Sequence, residues 1–382
     1  MRPDQGSVLP ALEGRRVAVC VGAGGVGKTT VAAALALHRA RLGGKALVCT
    51  IDPARRLANA LGLRSLGNVE SRVPEETFAE AGVRARGQLF AMMLDVKRTW
   101  DDLVARHAPD PARRDRILGN RLYRQMSSVL AGSQEYMAME KLYELATDRD
   151  YDLIVLDTPP TAHALDFLEA PDRVLDFVGN DAARRVLAPA LGVGRLGLRL
   201  AQMGGGYLAK VLARFTGEGV LEDLGEFLQN FQGMYEGFKE RAAAVRALLA
   251  RPEVGFVLVA SPSHVSIDEA VALHGRLREE AIPVAGLVAN RVTPDLWPGR
   301  APLPDTGALA GPLVASGVRV AAAEDLAGRL ARTLAENQAI AAAERAALDR
   351  LFEAISSPRV VVPRLESDVH DLAGLARLAE RL

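Results

Sequence analysis

Gly22-Ala23-Gly24-Gly25-Val26-Gly27-Lys28-Thr29-Thr30 follows a short apolar run, Val17 to Val21, and leads into an Ala/Leu-rich segment of helical character. A strand, a glycine-rich loop and a helix in that order form a phosphate cradle. The glycines let the backbone curl, so that successive N–H groups along Gly24, Gly25, Val26 and Gly27 point at phosphate oxygens. The helix N-terminus adds a favourable dipole. Lys28 is placed to reach the terminal phosphates, and the Thr29 hydroxyl to hold Mg²⁺. The complete G-x-x-x-x-G-K-[ST] pattern implies a nucleoside triphosphate as ligand.

The same glycines also spell G-x-G-x-x-G, and Asp52 ends the next apolar run, which is how a dinucleotide-binding fold reads. Lys28-Thr29 argues against that rival, because a dinucleotide loop has no use for a lysine followed by a hydroxyl.

At 382 residues the chain is long enough for one large domain or two ordinary ones. Apolar residues make up 49% and aromatics 5%, a balance that suits a helix-rich α/β protein better than a sandwich. Formal charge is zero, so no global field draws the chain to nucleic acid or to a membrane. Arginine far outnumbers lysine, which reflects a GC-rich coding bias. Cys20 and Cys49 fall in expected buried strands. Two such thiols make neither a disulfide framework nor a zinc site, and the expected setting is cytoplasmic and reducing. Neither a secretory leader nor an apolar run of membrane-spanning length is evident.

Apolar runs recur at Val17–Val21, Ala46–Thr50, Leu153–Leu156, Phe256–Ala260, Gly286–Ala289 and Val360–Val362, with helical segments between them. Continuous apolar strands separated by helices predict an α/β fold of the P-loop NTPase type, a mostly parallel sheet covered by helices on both faces. Ligands then gather at the carboxyl ends of the strands. Residues 1–15 are expected to be a flexible lead. Residues 16–97, 151–171 and 251–382 are assigned to the sheet-bearing core, and 98–150 and 172–250 to an inserted helical subdomain. The Pro- and Gly-rich stretch 294–317 reads as a loop, and Ala321 to Ile355 as a helix.

Two further strand ends carry acids. After the second run comes Asp52-Pro53-Ala54-Arg55-Arg56. Opposite a phosphate loop, Asp52 can orient the water that attacks a γ-phosphate. Asp followed by Pro is equally a good helix start. After the third run comes Asp157-Thr158-Pro159-Pro160-Thr161-Ala162-His163. An acid closing an apolar strand matches a Walker B carboxylate, which holds Mg²⁺ directly or through water; a plain strand-end turn is the alternative. His163 could sense the γ-phosphate or merely cap a helix.

Together these segments resemble the ArsA-type anion-transporting ATPase family, which includes the ATPase of the GET pathway for tail-anchored membrane proteins. That family belongs with MinD and ParA in the deviant-Walker-A P-loop class. The resemblance rests on Gly22–Thr30, on Thr50-Ile51-Asp52-Pro53-Ala54 as switch I, and on Asp157–Leu168 as switch II. Leu130 to Glu135, Asn290-Arg291 and Val362-Pro363-Arg364-Leu365 add weaker matches. It implies a Mg²⁺-dependent ATPase dimer with nucleotide at the subunit interface. Lys28 would bind the β- and γ-phosphates, Thr29 the Mg²⁺, Thr30 the α-phosphate, Asp52 the attacking water and Asp157 the metal's water shell. Asn290, Arg291 and Pro363 would line the adenine.

Three departures qualify the resemblance. The family's signature lysine, which reaches across the dimer to the partner's nucleotide, is replaced by Ala23. The implication is slow turnover as a homodimer, or a heterodimer with a lysine-bearing paralogue; Arg55 or Arg56 are candidate substitutes. The zinc-binding cysteine pair of the eukaryotic targeting factor is missing, so no zinc is expected. The arsenite-binding cysteines are missing too, which speaks against arsenite extrusion.

Between Ala182 and Gly217 lie Arg184, Arg185, Arg195, Arg199, Lys210 and Arg214 with no acid among them, and Gly204-Gly205-Gly206 offers a hinge. The segment reads either as a lid over a groove for a hydrophobic membrane-protein client or as an amphipathic helix pair with a solvated face. Met126, Met137 and Met139 suit such a groove, or a core. The closing stretch Val369, Leu372, Leu375, Leu378, Leu382 reads as packing on the sheet, leaving at most transient membrane contact. No basic stripe for nucleic acid is present.

Overall fold

A computed structural model describes residues 6–52, 56–121, 123–124, 133–158, 235–298 and 302–382. The expectations for Arg55, Met126, His163, most of switch II and the basic stretch 182–217 lie outside the described residues.

The first strand, β1 (Val17–Val21), lies inside an eight-stranded sheet. The others are β2 (Lys45–Thr50), β3 (Ser71–Arg72), β4 (Gln88–Met93), β5 (Leu153–Asp157), β6 (Val254–Ala260), β7 (Val284–Val292) and β8 (Arg359–Pro363). Their order is β3-β4-β2-β5-β1-β6-β7-β8, and every pairing is parallel except that of β3 with β4. The sequence reading placed six of these strands; β3 and β4 extend the sheet beyond them. β1 sits between β5 and β6, where the chain turns from filling one side of the sheet to filling the other. In open parallel sheets this is where ligands bind.

Alternation along the strands explains the two-sided burial. Val17, Val19, Val21, Leu47, Cys49, Ile154 and Leu156 face one apolar layer. Ala18, Cys20, Ala46, Val48, Val155, Val257 and Val259 face the other. The first layer is covered by α5 (Val96–His107), α7 (Ser133–Asp148), α8 (Tyr235–Leu249) and α9 (His264–Glu279), through Trp100, Met137, Met139, Phe238 and Ile267. Met137 and Met139 are thus core residues. Glu140, 2% exposed, accepts two bonds from Arg241 Nε at 2.9 and 2.8 Å and ties α7 to α8. α6 (Pro111–Gly119) packs beside α5.

The second layer is covered by α2 (Lys28–Arg41), whose residues Val31 to Leu37 are all buried. The short helices α3 (Arg56–Ala60) and α4 (Glu75–Glu80) flank it. The closing helix α12 (Leu372–Ala379) buries Leu372, Leu375 and Leu378, but it packs chiefly on α2 rather than directly on the sheet. Residues 7–15, expected to be a flexible lead, are instead tied down. Val8 is fully buried, its N–H donates to the Leu382 carbonyl at 2.8 Å, and α1 (Leu9–Leu12) follows.

A further expectation, that of a loop, is overturned. The stretch 294–317 contains a helix, α10 (Thr306–Ala315), despite its prolines and glycines. The Asp305 carboxylate caps it by accepting from the Ala308 N–H at 2.7 Å, and Gly317 at φ 97° closes it. α10 has no buried residue; it packs on α11 (Val320–Ala354), a helix of 35 residues.

Candidate functional site

Residues 22–27 run from the end of β1 into α2. Gly22 (φ 151°) lies so close to β6 that a Cβ there would collide with the Val259 carbonyl; Gly27 (φ 95°) sets the N-cap of α2. Both positions need glycine for reasons of space and backbone conformation together. Ala23 turns inward, 7% exposed, into the apolar layer under α2. Gly24 and Gly25 are exposed.

Lys28 is 6% exposed, and its Nζ donates to the carbonyls of Gly22 at 2.9 Å and Ala23 at 2.8 Å. Burial lowers its pKa, and the nearby Asp157 carboxylate partly offsets that. An ammonium has three donors, so the two loop carbonyls leave one for another acceptor.

Asp157 ends β5 and is 1% exposed. Its Oδ2 accepts from two hydroxyls, Thr29 Oγ1 at 2.6 Å and Thr50 Oγ1 at 2.7 Å. Its Oδ1 is buried with no hydrogen-bond partner among the described residues. Desolvation pushes this carboxyl up to about 6, although the two hydroxyls and Lys28 pull the other way. Thr50, directly opposite Asp157 in the β2–β5 register, also accepts from the Asp52 N–H at 3.1 Å. The backbone at Asp52 and the carboxylate at Asp157 are therefore joined through one hydroxyl. Thr158 bonds back to the Cys20 carbonyl through Oγ1 at 2.8 Å and fixes the exit from β5.

The sequence motifs had singled out Lys28, Thr29, Asp52 and Asp157, and the fold brings all four to the carboxyl ends of β1, β2 and β5. Thr50 had been given no role of its own. Its signal was positional: a hydroxyl closing the strand beside the Walker B strand. Thr30 lies half-buried in the first turn of α2. Asn290 and Arg291 reach the loop from β7: Asn290 Nδ2 donates to the Val26 carbonyl at 2.8 Å and Arg291 Nη1 to the Gly25 carbonyl at 2.7 Å. Pro363 closes β8 opposite Val292, one strand further out. Arg56 is exposed at the start of α3, and whether Asp52 caps that helix turns on residues 53–55, outside the described set.

The donors at Asp157 fit a hard divalent cation. Mg²⁺ takes oxygen ligands and keeps several waters, and here a hydroxyl and a carboxylate with one unpartnered buried oxygen lie side by side. Cys20 and Cys49 are buried free thiols, and desolvation pushes the Cys49 thiol up to about 12. Neither is a plausible ligand or nucleophile at neutral pH. Among the described residues no helix is long and apolar enough to cross a membrane.

A family model described as "Anion-transporting ATPase" matches residues 15–298. The ATPase GET3A of Arabidopsis thaliana is 26% identical over 277 residues, covering 72% of this chain and 66% of that protein. An uncharacterized protein of Streptomyces coelicolor is 30% identical over 287 residues, covering 74% and 64%. The ATPase get3 of Aspergillus terreus is 31% identical over 153 residues, covering 39% and 41%. The chain thus spans just under two thirds, or less, of the length of these relatives.

Proposed function

Because the chain belongs to the anion-transporting ATPase family, we propose that it binds ATP with Mg²⁺ at the carboxyl ends of β1, β2 and β5 and hydrolyses it. The observation that carries this reading is the convergence of Lys28, Thr29, Thr50 and Asp157 within one bonded cluster. Lys28 binds the β- and γ-phosphates by exchanging a loop carbonyl for a phosphate oxygen. N–H groups of Gly24 to Gly27 and of Thr30 receive the phosphate chain. Asp52 orients the water that attacks the γ-phosphorus and takes its proton as the bond to ADP breaks. Thr29 and, through water, Asp157 hold the Mg²⁺, which neutralises charge on the phosphates.

On this reading the working unit is a cytoplasmic dimer whose conformation follows its nucleotide, and its task is to target or chaperone hydrophobic membrane-protein segments. On this reading the client-facing subdomain is built from residues 98–150 and 172–250, and its described helices α5, α7 and α8 also pack by one face on the sheet. Wild-type phosphate release that Lys28→Ala and Asp52→Asn abolish is the expected result. A pure chain that binds no ATP in the presence of Mg²⁺ overturns it. Failure to recover hydrophobic clients from nucleotide-free or ADP-bound protein overturns the targeting role alone.

Ala23 favours a second reading, a weakly hydrolysing subunit of a heterodimer with a lysine-bearing paralogue. Its side chain is packed into the apolar layer rather than projecting outward. Rapid turnover by the pure chain would exclude this alternative.

A further inference from the structure

Asn290 and Arg291 grip the phosphate loop from the flank opposite Asp157, and the way they do so is unusual for a strand. Successive strand residues point to opposite faces of a sheet. Here Ala289 pairs with Val361 and Val292 with Pro363, so β7 carries two residues where β8 carries one. Arg291 takes up the extra length at φ 62°, the left-handed region that a residue with a Cβ adopts only at a cost. This bulge turns both side chains onto a single loop. Bulges beside functional sites commonly re-aim side chains in this way.

What they hold is specific. The Gly25 carbonyl shares its peptide plane with the Val26 N–H, and the Val26 carbonyl with the Gly27 N–H. In a trans peptide the C=O and N–H point in opposite directions. Anchoring both carbonyls outward, at 2.7 and 2.8 Å, therefore aims the next two N–H groups inward. Asn290 is only 7% exposed, and its Nδ2 is committed to Val26.

We infer that Asn290 and Arg291 are positioning residues that keep the Val26 and Gly27 N–H groups facing the phosphates, so that their contribution to binding follows the polyphosphate and not the base. The inference rests on the ATP reading above and differs from the adenine-lining role that the family resemblance implies.

Arg291→Gly is the informative variant, because glycine adopts φ 62° without strain and the bulge is retained. Calorimetric titration of full-length wild type, Arg291→Gly and Asn290→Ala with Mg–ATP and with Mg–tripolyphosphate tests the inference. Both variants should weaken ATP and tripolyphosphate by the same factor, roughly 3- to 10-fold for each lost loop bond. Arg291→Gly should do so with a Tm equal to or above wild type. In ligand-free protein its amide exchange across residues 24–27 should be faster. A loss confined to ATP, with tripolyphosphate unaffected, overturns the inference and makes Asn290 a base reader; unchanged loop exchange overturns it too. Wild type that binds neither ligand overturns the ATP reading instead, and loop exchange in the ligand-free variant then decides the grip separately.

Discussion

The two flanks of the phosphate loop are built from opposite kinds of chemistry. On the β5 side a carboxylate is buried with one oxygen bonded to two hydroxyls and the other bonded to nothing among the described residues. On the β7 side an amide and a guanidinium hold two consecutive loop carbonyls. One flank carries an unsatisfied charge in a low-dielectric setting, which is costly until a cation or a proton arrives. The other spends its donors on holding geometry. The contrast teaches where affinity and precision separate: the reactive side stores electrostatic need, and the scaffolding side removes freedom from the backbone.

The largest effects should fall on the reactive flank. Lys28→Ala or Asp52→Asn is expected to reduce steady-state ATP turnover by about 10³-fold or more, since each removes a charge acting on the transferred phosphoryl group. Phosphate release with the folded state checked by circular dichroism measures it, and a loss below tenfold would erase the asymmetry between the flanks.

Asp157→Asn should separate binding from stability. Mg–ATP affinity is expected to drop steeply, while the apo protein in chelator becomes more stable near pH 7.5. The sign follows from the raised carboxyl. The folded state holds the Asp157 proton more tightly than the unfolded chain, so ionising it costs stability as pH rises from about 4 to about 6, and the cost persists above. The rise from 3.8 to about 6 corresponds to about 3 kcal/mol at neutral pH. Thermal melts at pH 7.5 and 4.5 should therefore show a Tm gain that narrows at the lower pH. A variant less stable than wild type at pH 7.5 breaks the argument.

Thr50→Val comes next. It leaves the Asp52 N–H and the Asp157 carboxylate each short of one bond, and kcat should fall roughly 10-fold with KM little changed. Thr50→Ser should restore most of it. If serine fails to rescue, the methyl group and not the hydroxyl is what matters. The smallest effect is that of Arg291→Gly on the opposite flank, and it should be uniform across polyphosphates.

Much of this was legible in the sequence. Strands β1, β2, β5, β6, β7 and β8 announce themselves because strands buried on both faces must be continuously apolar, and Lys28, Thr29 and Asp157 because a phosphate cradle tolerates few alternatives. β4 escaped notice as Gln88–Met93, and β3 has only two residues, too short for any periodicity. α10 was hidden because its Pro312 and glycines read as breakers, while the capping carboxylate of Asp305 speaks through one hydrogen bond. Thr50 looked like an ordinary β-former until the register set it against Asp157. The bulge at Asn290-Arg291 depends on how two strands distant in sequence slip past each other, which no local pattern encodes.

The loop that leaves β7 is fastened to the C-terminal half of α11. The Thr293 N–H and hydroxyl bond the Glu344 carboxylate at 2.6 and 2.9 Å, and Arg345 meets Asp295 at 3.1 Å. α11 has 35 residues and is about 52 Å long at 1.5 Å per residue. Its C-terminal half is seated in the core through Ala347, Leu348 and Leu351, and its N-terminal end carries α10. Mechanically it is a pointer clamped near its hub. From the clamp at Glu344 to the tip at Val320 the lever is about 36 Å at 1.5 Å per residue, so a swivel of about 5° at the hub would sweep the tip by about 3 Å, enough to turn a small shift of the loop after β7 into a displacement felt at a distant surface.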